Sequence, residues 1–288
     1  MSSTRDSRLP ISGHIAFIGG GNVARSMIGG LVALGTPASR IEVSEPDEGL
    51  RAALARDFGV RAHALNDAAV LQAELWVLAV KPQVLRGVCG GLAMAAQRSR
   101  PLVVTLAAGI PIAGVKRWLG DGHELAIVRA MPNTPALLGA SATALCANAH
   151  TLPEHRAQAQ LLFEAVGTAL WVEDEALMDT VTATSGSGPA YVFALVEAMQ
   201  AAAIAQGLPR EIAQALIAQT IVGAGRMLIE SGEDAATLRQ RVTSPGGVTA
   251  EALRCFAEGG FDALLARAIA AATARGGELA AQYAGTAA

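Results

Sequence analysis

Lysine is nearly missing from this chain: Lys81 and Lys116 are its only two, and no histidine follows His155. A dehydrogenase that reduces a carbonyl needs a proton donor beside the hydride acceptor, most often His or Lys. The C-terminal part of the chain has neither to offer. Cysteine is scarce too. Cys89, Cys146 and Cys255 are odd in number and lack C-x-x-C spacing, which excludes a disulfide framework and a zinc ribbon and leaves them as small core hydrophobes. Aromatic residues are only 4% and charged residues 16% against 52% hydrophobic. Much of that apolar share is alanine, so small-residue helices packed closely are expected. No stretch of eighteen uninterrupted apolar residues occurs, since the best one, 189–205, contains Glu197 and Gln200; no membrane span is expected. The net charge of −3 comes without a basic stripe, so nucleic acid is not an expected partner. Arg5, Asp6 and Arg8 interrupt the N-terminus where a signal peptide needs an apolar run, and a cytoplasmic protein is expected.

What is there is organised around His14-Ile-Ala-Phe-Ile-Gly-Gly-Gly-Asn-Val-Ala-Arg25. It reads as strand, tight turn and helix start. Gly19, Gly21 and Ala24 fall on G-x-G-x-x-G/A spacing: a glycine for the turn, a second for close approach of backbone to a pyrophosphate, and a small residue for helix-on-strand packing. The phosphates would sit on free N–H groups at the helix N-terminus. A second strand is expected over 40–43, and Glu45 follows Ala24 by 21 residues, where a carboxylate can accept from a ribose hydroxyl. The same spacing also suits a purely structural turn. Helices are then expected at 47–58 and 66–72, the latter with Asn66 as a cap. Further strands are expected at 75–80, ending in Lys81-Pro82, and at 102–106, ending in Ala107-Ala108-Gly109. Ligands of an open parallel sheet lie beyond the carboxyl ends of its strands, so Lys81 and Gly109 should face the crevice of Gly19–Gly21. A strand over 125–129 leads into Ala130-Met-Pro-Asn-Thr-Pro135, where two prolines forbid helix or central strand; this loop either walls a site or forms a rim. Strands at 141–146 and 168–172 around a helix at 153–166 complete an α/β unit.

Beyond Asp174 the strand pattern stops and only helices follow, punctuated by Gly207, Gly232 and Gly259-Gly260. Three regions are therefore expected: a mobile tail over 1–13, a Rossmann-like dinucleotide-binding domain over 14–173, and an all-α domain over 174–288. Residues 190–205 and 212–228 are apolar on more than one face, which an isolated small bundle cannot bury, so a subunit partner is expected. Two turns, Ser185-Gly-Ser-Gly-Pro-Ala-Tyr191 and Thr243-Ser-Pro-Gly-Gly-Val-Thr249, each precede a helical pattern. Each either presents hydroxyls and unpaired N–H groups to a carboxylate or is an ordinary capped loop. With no Lys or His in that half, a substrate that carries its own proton fits best. A protonated imine is such a substrate, and a carboxylate on it would account for the turns.

The motifs Ile18-Gly-Gly-Gly-Asn-Val23, Ala79-Val-Lys-Pro82, Ala107-Ala-Gly109, Arg129-Ala-Met-Pro-Asn-Thr-Pro135, Ser185-Gly-Ser-Gly-Pro-Ala-Tyr191 and Ser244-Pro-Gly-Gly-Val-Thr249 resemble, in order and over nearly the whole chain, those of the pyrroline-5-carboxylate reductase family. The resemblance implies a Rossmann domain joined to a helical dimerisation domain, in a homodimer or higher homo-oligomer. It implies hydride transfer from NADPH or NADH to Δ1-pyrroline-5-carboxylate, giving L-proline as the last step of proline biosynthesis. It assigns the cofactor to Ile18, Gly19, Gly20, Gly21, Asn22, Val23, Ser44, Asn66, Ala79, Val80, Lys81, Pro82, Ala107, Ala108 and Gly109. It assigns the substrate to Glu175, Ser244, Gly247, Val248 and Thr249, with Thr249 also near the ring nitrogen as the catalytic residue. Val23 and Ala24 stand where the family often has Met and Gly. Glu45 is the departure with a consequence, because a carboxylate beside the ribose repels a 2′-phosphate and favours NADH. No metal is implied. Two other readings remain: a β-hydroxyacid dehydrogenase, which would need a lysine in the helical half, and a non-catalytic dinucleotide sensor that binds a partner protein.

Overall fold

The computed structural model describes residues 11, 13–122 and 124–285. Its first part alternates strand and helix: β1 (Ile15–Ile18), α1 (Asn22–Ala33), β2 (Ile41–Ser44), α2 (Glu48–Phe58), β3 (Arg61–His63), α3 (Asn66–Val70), β4 (Leu75–Leu78), α4 (Pro82–Ser99), β5 (Leu102–Thr105), α5 (Ile112–Leu119), β6 (Ile127–Met131), β7 (Ser141–Ala147), α6 (Pro153–Glu164) and β8 (Gly167–Trp171). The strands form one sheet in the order β3-β2-β1-β4-β5-β6-β7-β8. All neighbours are parallel except β6 and β7. The exception has a local cause. Only residues 132–140 join those two strands, too few for the crossover that a parallel return needs.

Both faces of this sheet are dry, which is why its strands are apolar runs without alternation. Ile15, Phe17, Val43, Val77 and Val104 pack with Met27, Leu54 and Phe163 on one side. Ala16, Ile18, Trp76, Leu78 and Val103 pack with Leu85, Leu92 and Val115 on the other. The one indole fully inside, Trp76, donates its N–H to the Ala73 carbonyl at 3.1 Å, so no polar group is stranded there. Two of the cysteines, Cys89 and Cys146, are buried as expected, and burial pushes the Cys89 thiol up to about 12. Cys255 is exposed, so its small-core-residue reading is corrected. Of the expected tail, residues 1–10 and 12 lie outside the described ones, whereas Ile11 is buried in the core.

After β8 the chain enters α7 (Met178–Val181), a π-turn over Thr182–Gly186, α8 (Gly188–Ala205), α9 (Arg210–Glu230), α10 (Ala235–Arg241), α11 (Val248–Glu258) and α12 (Phe261–Gly285). Two compact units result. One contains the described residues up to Ser187 together with those from Ala272 onward, and the other is Gly188–Ala271. Within the second unit α8 packs on α9, yet both leave large apolar side chains in solvent: Phe193 is 67% exposed and Ile229 84%. By length and composition alone, Glu175–Ala205 and Arg210–Glu230 are long and apolar enough to cross a membrane. Neither is an uninterrupted apolar run: Glu197 and Gln200 break the first and Gln214, Gln219 and Arg226 the second, without lowering the mean hydropathy far.

Candidate active site

The strand ends lie in one row. Ile18 is in register with Ser44 and Leu78, Leu78 with Thr105, and Thr105 with Arg129. The loops after β1, β2, β4 and β5 therefore leave the same edge of the sheet, and β1, flanked by β2 and β4, is where the strand order reverses. That crevice is the ligand position in doubly wound sheets.

Glycine at 19 is required twice over. Its φ is +100°, and a Cβ there would come within 2.8 Å of the Ala79 carbonyl oxygen. The β1 loop and the β4 loop thus touch at Gly19 and Ala79, and the Gly19 N–H donates to the Ser44 carbonyl at 2.8 Å. Gly21 is different. It is the N-cap of α1, exposed, with no side-chain cap, and nothing lies within 4 Å of where its Cβ would be. Open space above uncapped helical N–H groups is what a pyrophosphate needs, so the residues present fit a dinucleotide. Ala24 is buried against the core, as the small third position requires.

Glu45 closes the other side of this cradle. Its residue is 9% exposed, and its carboxylate accepts from the Gly20 N–H at 2.9 Å and from the Asp47 N–H at 3.0 Å. Two backbone donors fix the group, and each oxygen keeps a lone pair for a further donor. Asn66 is not the cap expected of it. Leu65 holds the N-cap position of α3, and the Asn66 side-chain carbonyl accepts from the buried Ser44 hydroxyl at 2.7 Å. Lys81 is the N-cap of α4 with Pro82 in the first turn, and both lie at the edge that carries Gly19. Gly109 faces α12, where a Cβ would meet Leu279 at 3.6 Å and Tyr283 at 3.8 Å. The Tyr283 hydroxyl also accepts from Gln83 at 3.1 Å.

Arg129 and Asn133, which the sequence offered only within the 129–135 motif and without individual roles, both organise this edge. Arg129, its side chain only 6% exposed, pairs with Glu175 at 3.1 Å and with Asp179 at 3.3 Å. The Glu175 carboxylate, assigned to the substrate by resemblance, also accepts from the Ile112 N–H at 2.8 Å. Asn133 donates to the Ser185 carbonyl at 3.0 Å and accepts from the Ala142 N–H at 3.0 Å, so the proline-rich loop pins the π-turn. The Ser185–Tyr191 segment does lead into a helix, α8 at Gly188, but its Ser185 hydroxyl and Ser187 N–H are not free donors. The Thr182, Thr184 and Ser185 hydroxyls donate back to carbonyls of Met178, Thr180 and Val181, and the Ser187 N–H donates to Thr182. Helical bonding runs through it as a π-turn, an irregularity common at functional sites.

In the second unit, Ser244–Thr249 does form the expected helix start. Gly247 is the N-cap of α11 with no side-chain cap, and its N–H donates to the Ser244 carbonyl at 3.0 Å. Val248 and Thr249 are exposed, and among the described residues no hydrogen bond engages the Thr249 hydroxyl. The first-turn N–H groups have no helical acceptor. No group of three or more His, Cys, Asp or Glu that could hold a metal occurs among the described residues.

Two family descriptions match the chain: "pyrroline-5-carboxylate reductase dimerisation" over residues 175–279 and "NADP oxidoreductase coenzyme F420-dependent" over 14–109. The pyrroline-5-carboxylate reductase of Pseudomonas aeruginosa is 48% identical over 93% of this chain and 97% of its own length. A pyrroline-5-carboxylate reductase structure from Coxiella burnetii superposes with a TM-score of 0.90 at 39% identity, covering 93% of this chain and 99% of that one. The pyrroline carboxylate reductase of Plasmodium falciparum, solved with NADP bound, has a TM-score of 0.81 at 25% identity over 93% of this chain and 98% of its own. With the glycine cradle at the switch point of its sheet and kinship over nearly its full length, the chain belongs to the pyrroline-5-carboxylate reductase family.

Proposed function

We propose that this chain, an NAD(P)H-dependent oxidoreductase, reduces Δ1-pyrroline-5-carboxylate to L-proline. The observation that carries this reading is an open glycine cradle at Gly19–Gly21 in a chain whose helical part has no Lys or His. Bound NAD(P)H supplies the hydride; the protein binds and orients. Gly19–Val23 hold the pyrophosphate on the N-terminus of α1. Ser44, Glu45 and Asn66 face the adenosine side, and Ala79–Pro82 with Ala107–Gly109 line the remainder. The N–H groups of Val248 and Thr249 receive the substrate carboxylate at the start of α11; Gly247, whose own N–H turns back to Ser244, lets the carboxylate approach, and the Thr249 hydroxyl meets the ring nitrogen. An iminium arrives already protonated, so reduction needs no acid from the enzyme.

Steady-state oxidation of NADH and of NADPH with pyrroline-5-carboxylate tests this, and turnover with neither would overturn it. The same assay reads Glu45. A carboxylate held on the Gly20 and Asp47 N–H groups accepts from a 2′-hydroxyl and repels a 2′-phosphate, so Glu45→Ser should move the kcat/KM ratio toward NADPH by about tenfold, roughly one decade at 1.36 kcal/mol. An unmoved ratio shows that the carboxylate does not see the ribose.

The two-part division at 173/174, with dinucleotide binding before it and substrate binding and dimerisation after it, belongs to this proposal. The exposed apolar faces of α8 and α9 are covered by a second copy, and the dimer works in the cytoplasm. Light scattering at low micromolar concentration should give at least twice the 29.4 kDa chain mass. A folded monomer contradicts this.

A further inference from the structure

We propose that Arg129 and Glu175 are positioning residues for the cofactor loop Ala107–Gly109, acting through the backbone N–H of Ile112. The inference rests on the reading above, in which that loop touches the dinucleotide. The loop joins β5 to α5. Its first end is held by the sheet at Thr105, in register with Arg129. Its other end is the first residue of α5, and there the ordinary device is missing, because the N-cap is Pro111 and offers no side-chain acceptor. The orphan Ile112 N–H is taken by Glu175 Oε1 at 2.8 Å, a carboxylate 63 residues further along the chain. A carboxylate at a helix N-terminus also complements the helix dipole.

Glu175 is held in turn. The same Oε1 accepts from Arg129 at 3.1 Å, and the other arm of the guanidinium reaches Asp179 at 3.3 Å. Asp179 packs against α12, where a Cβ at Gly276 would stand 3.2 Å from the Asp179 Cβ. Three residues further on, Leu279 of α12 lies against Gly109 itself. The loop is thus bracketed by Arg129 and Glu175 at its α5 end and by α12 at Gly109. Only Ile110 and Pro111 separate Gly109 from the clamped N–H.

The test isolates that N–H. Ile112→Pro deletes the donor where proline is tolerated, at the first helical position, and Pro111 at φ −66°, ψ 153° already has the conformation that a following proline requires. Ile112→Ala removes comparable packing and keeps the donor. Titrating NADH and NADPH by nicotinamide fluorescence, the dissociation constant should rise about tenfold more in Ile112→Pro than in Ile112→Ala, a difference of one decade. Glu175→Ala should match Ile112→Pro, and Glu175→Gln, which keeps an acceptor oxygen, should restore binding to within about threefold of wild type. Equal constants for Ile112→Pro and Ile112→Ala overturn the proposal, and this pair decides even where Glu175→Ala does not fold. Unchanged cofactor binding in Glu175→Ala with a raised KM for pyrroline-5-carboxylate also overturns it and puts Glu175 at the substrate. Wild-type protein that binds NAD(P)H without turning over pyrroline-5-carboxylate refutes the proposed function alone.

Discussion

Gly21→Val should raise the KM for NAD(P)H by about two orders of magnitude, roughly 2.7 kcal/mol at 1.36 kcal/mol per decade, with the fold retained. The two halves of that expectation have separate causes. At φ −67° and ψ −175° Gly21 is in extended backbone that valine adopts freely, and nothing lies within 4 Å of the new Cβ. The folded state therefore loses only N-cap quality, about 1 kcal/mol, which is a few degrees of melting temperature in a chain of this size. The isopropyl group, however, fills the open space over the uncapped first turn of α1. Phosphate cannot approach those N–H groups through it. Gly19→Val is the contrasting control, since its Cβ meets the Ala79 carbonyl at 2.8 Å and its φ is +100°. That variant should lose stability, whereas Gly21→Val should lose affinity. An unchanged cofactor KM in a folded Gly21→Val protein removes the pyrophosphate from this turn.

Central strands were legible because a strand buried on both faces is an apolar run, as Leu75–Leu78 is throughout and Leu102–Thr105 is up to its terminal threonine. β3 was not. Arg61-Ala-His63 sits at the sheet edge, and its polar side chains are accounted for by Glu42 on β2, which pairs with Arg61 and, at 2.7 Å, with His63. That pairing is cross-strand and leaves no periodic trace. Asn66 was misread for a related reason: an Asn before an apolar run is a good cap, but a buried Ser44 hydroxyl competes for the same side-chain oxygen, and a group inside the fold needs its partner more than a helix end in water does.

In the site, the glycine turns were legible because Gly19, Gly109 and Gly246 take the positive φ that favours glycine, while Gly21 leaves open space over a helix start. Their chemistry was less so. Composition cannot tell a turn with free hydroxyls from a π-turn whose hydroxyls donate to carbonyls four residues back, as Ser185 does to Val181. Arg129 opened the 129–135 motif, but nothing in the sequence showed what it pairs with. An arginine ending an apolar strand is unremarkable until Glu175 and Asp179, 46 and 50 residues later, are brought to it. Spacing in sequence reports ligands that lie on one loop or one helix; it is silent about pairs made by the fold.

Thr249→Val should lower kcat by one to three orders of magnitude, about 1.4 to 4 kcal/mol of barrier at 1.36 kcal/mol per decade, while the KM for NAD(P)H stays within about twofold of wild type. Valine keeps the shape of threonine and removes the hydroxyl. The competing view is that this hydroxyl merely caps α11, a role worth about 1 kcal/mol of stability. The structure weighs against that view. Gly247, not Thr249, is the N-cap, the helix has no side-chain cap, and among the described residues the Thr249 hydroxyl has no acceptor. An exposed hydroxyl without a protein partner, on a residue whose own N–H is among those proposed for the substrate carboxylate, is available to the ring nitrogen under that proposal. It can accept from the iminium N–H in the ground state and orient the C=N bond for hydride. Hydride addition neutralises the nitrogen and does not strengthen this bond, so its contribution is orientation: without it the C=N bond is held in the reactive geometry less often, and the loss should fall on kcat more than on the KM for pyrroline-5-carboxylate. Melting temperature measured on the same sample separates the two views: a lower melting point with normal turnover makes Thr249 a cap, and an unchanged melting point with slowed turnover makes it catalytic.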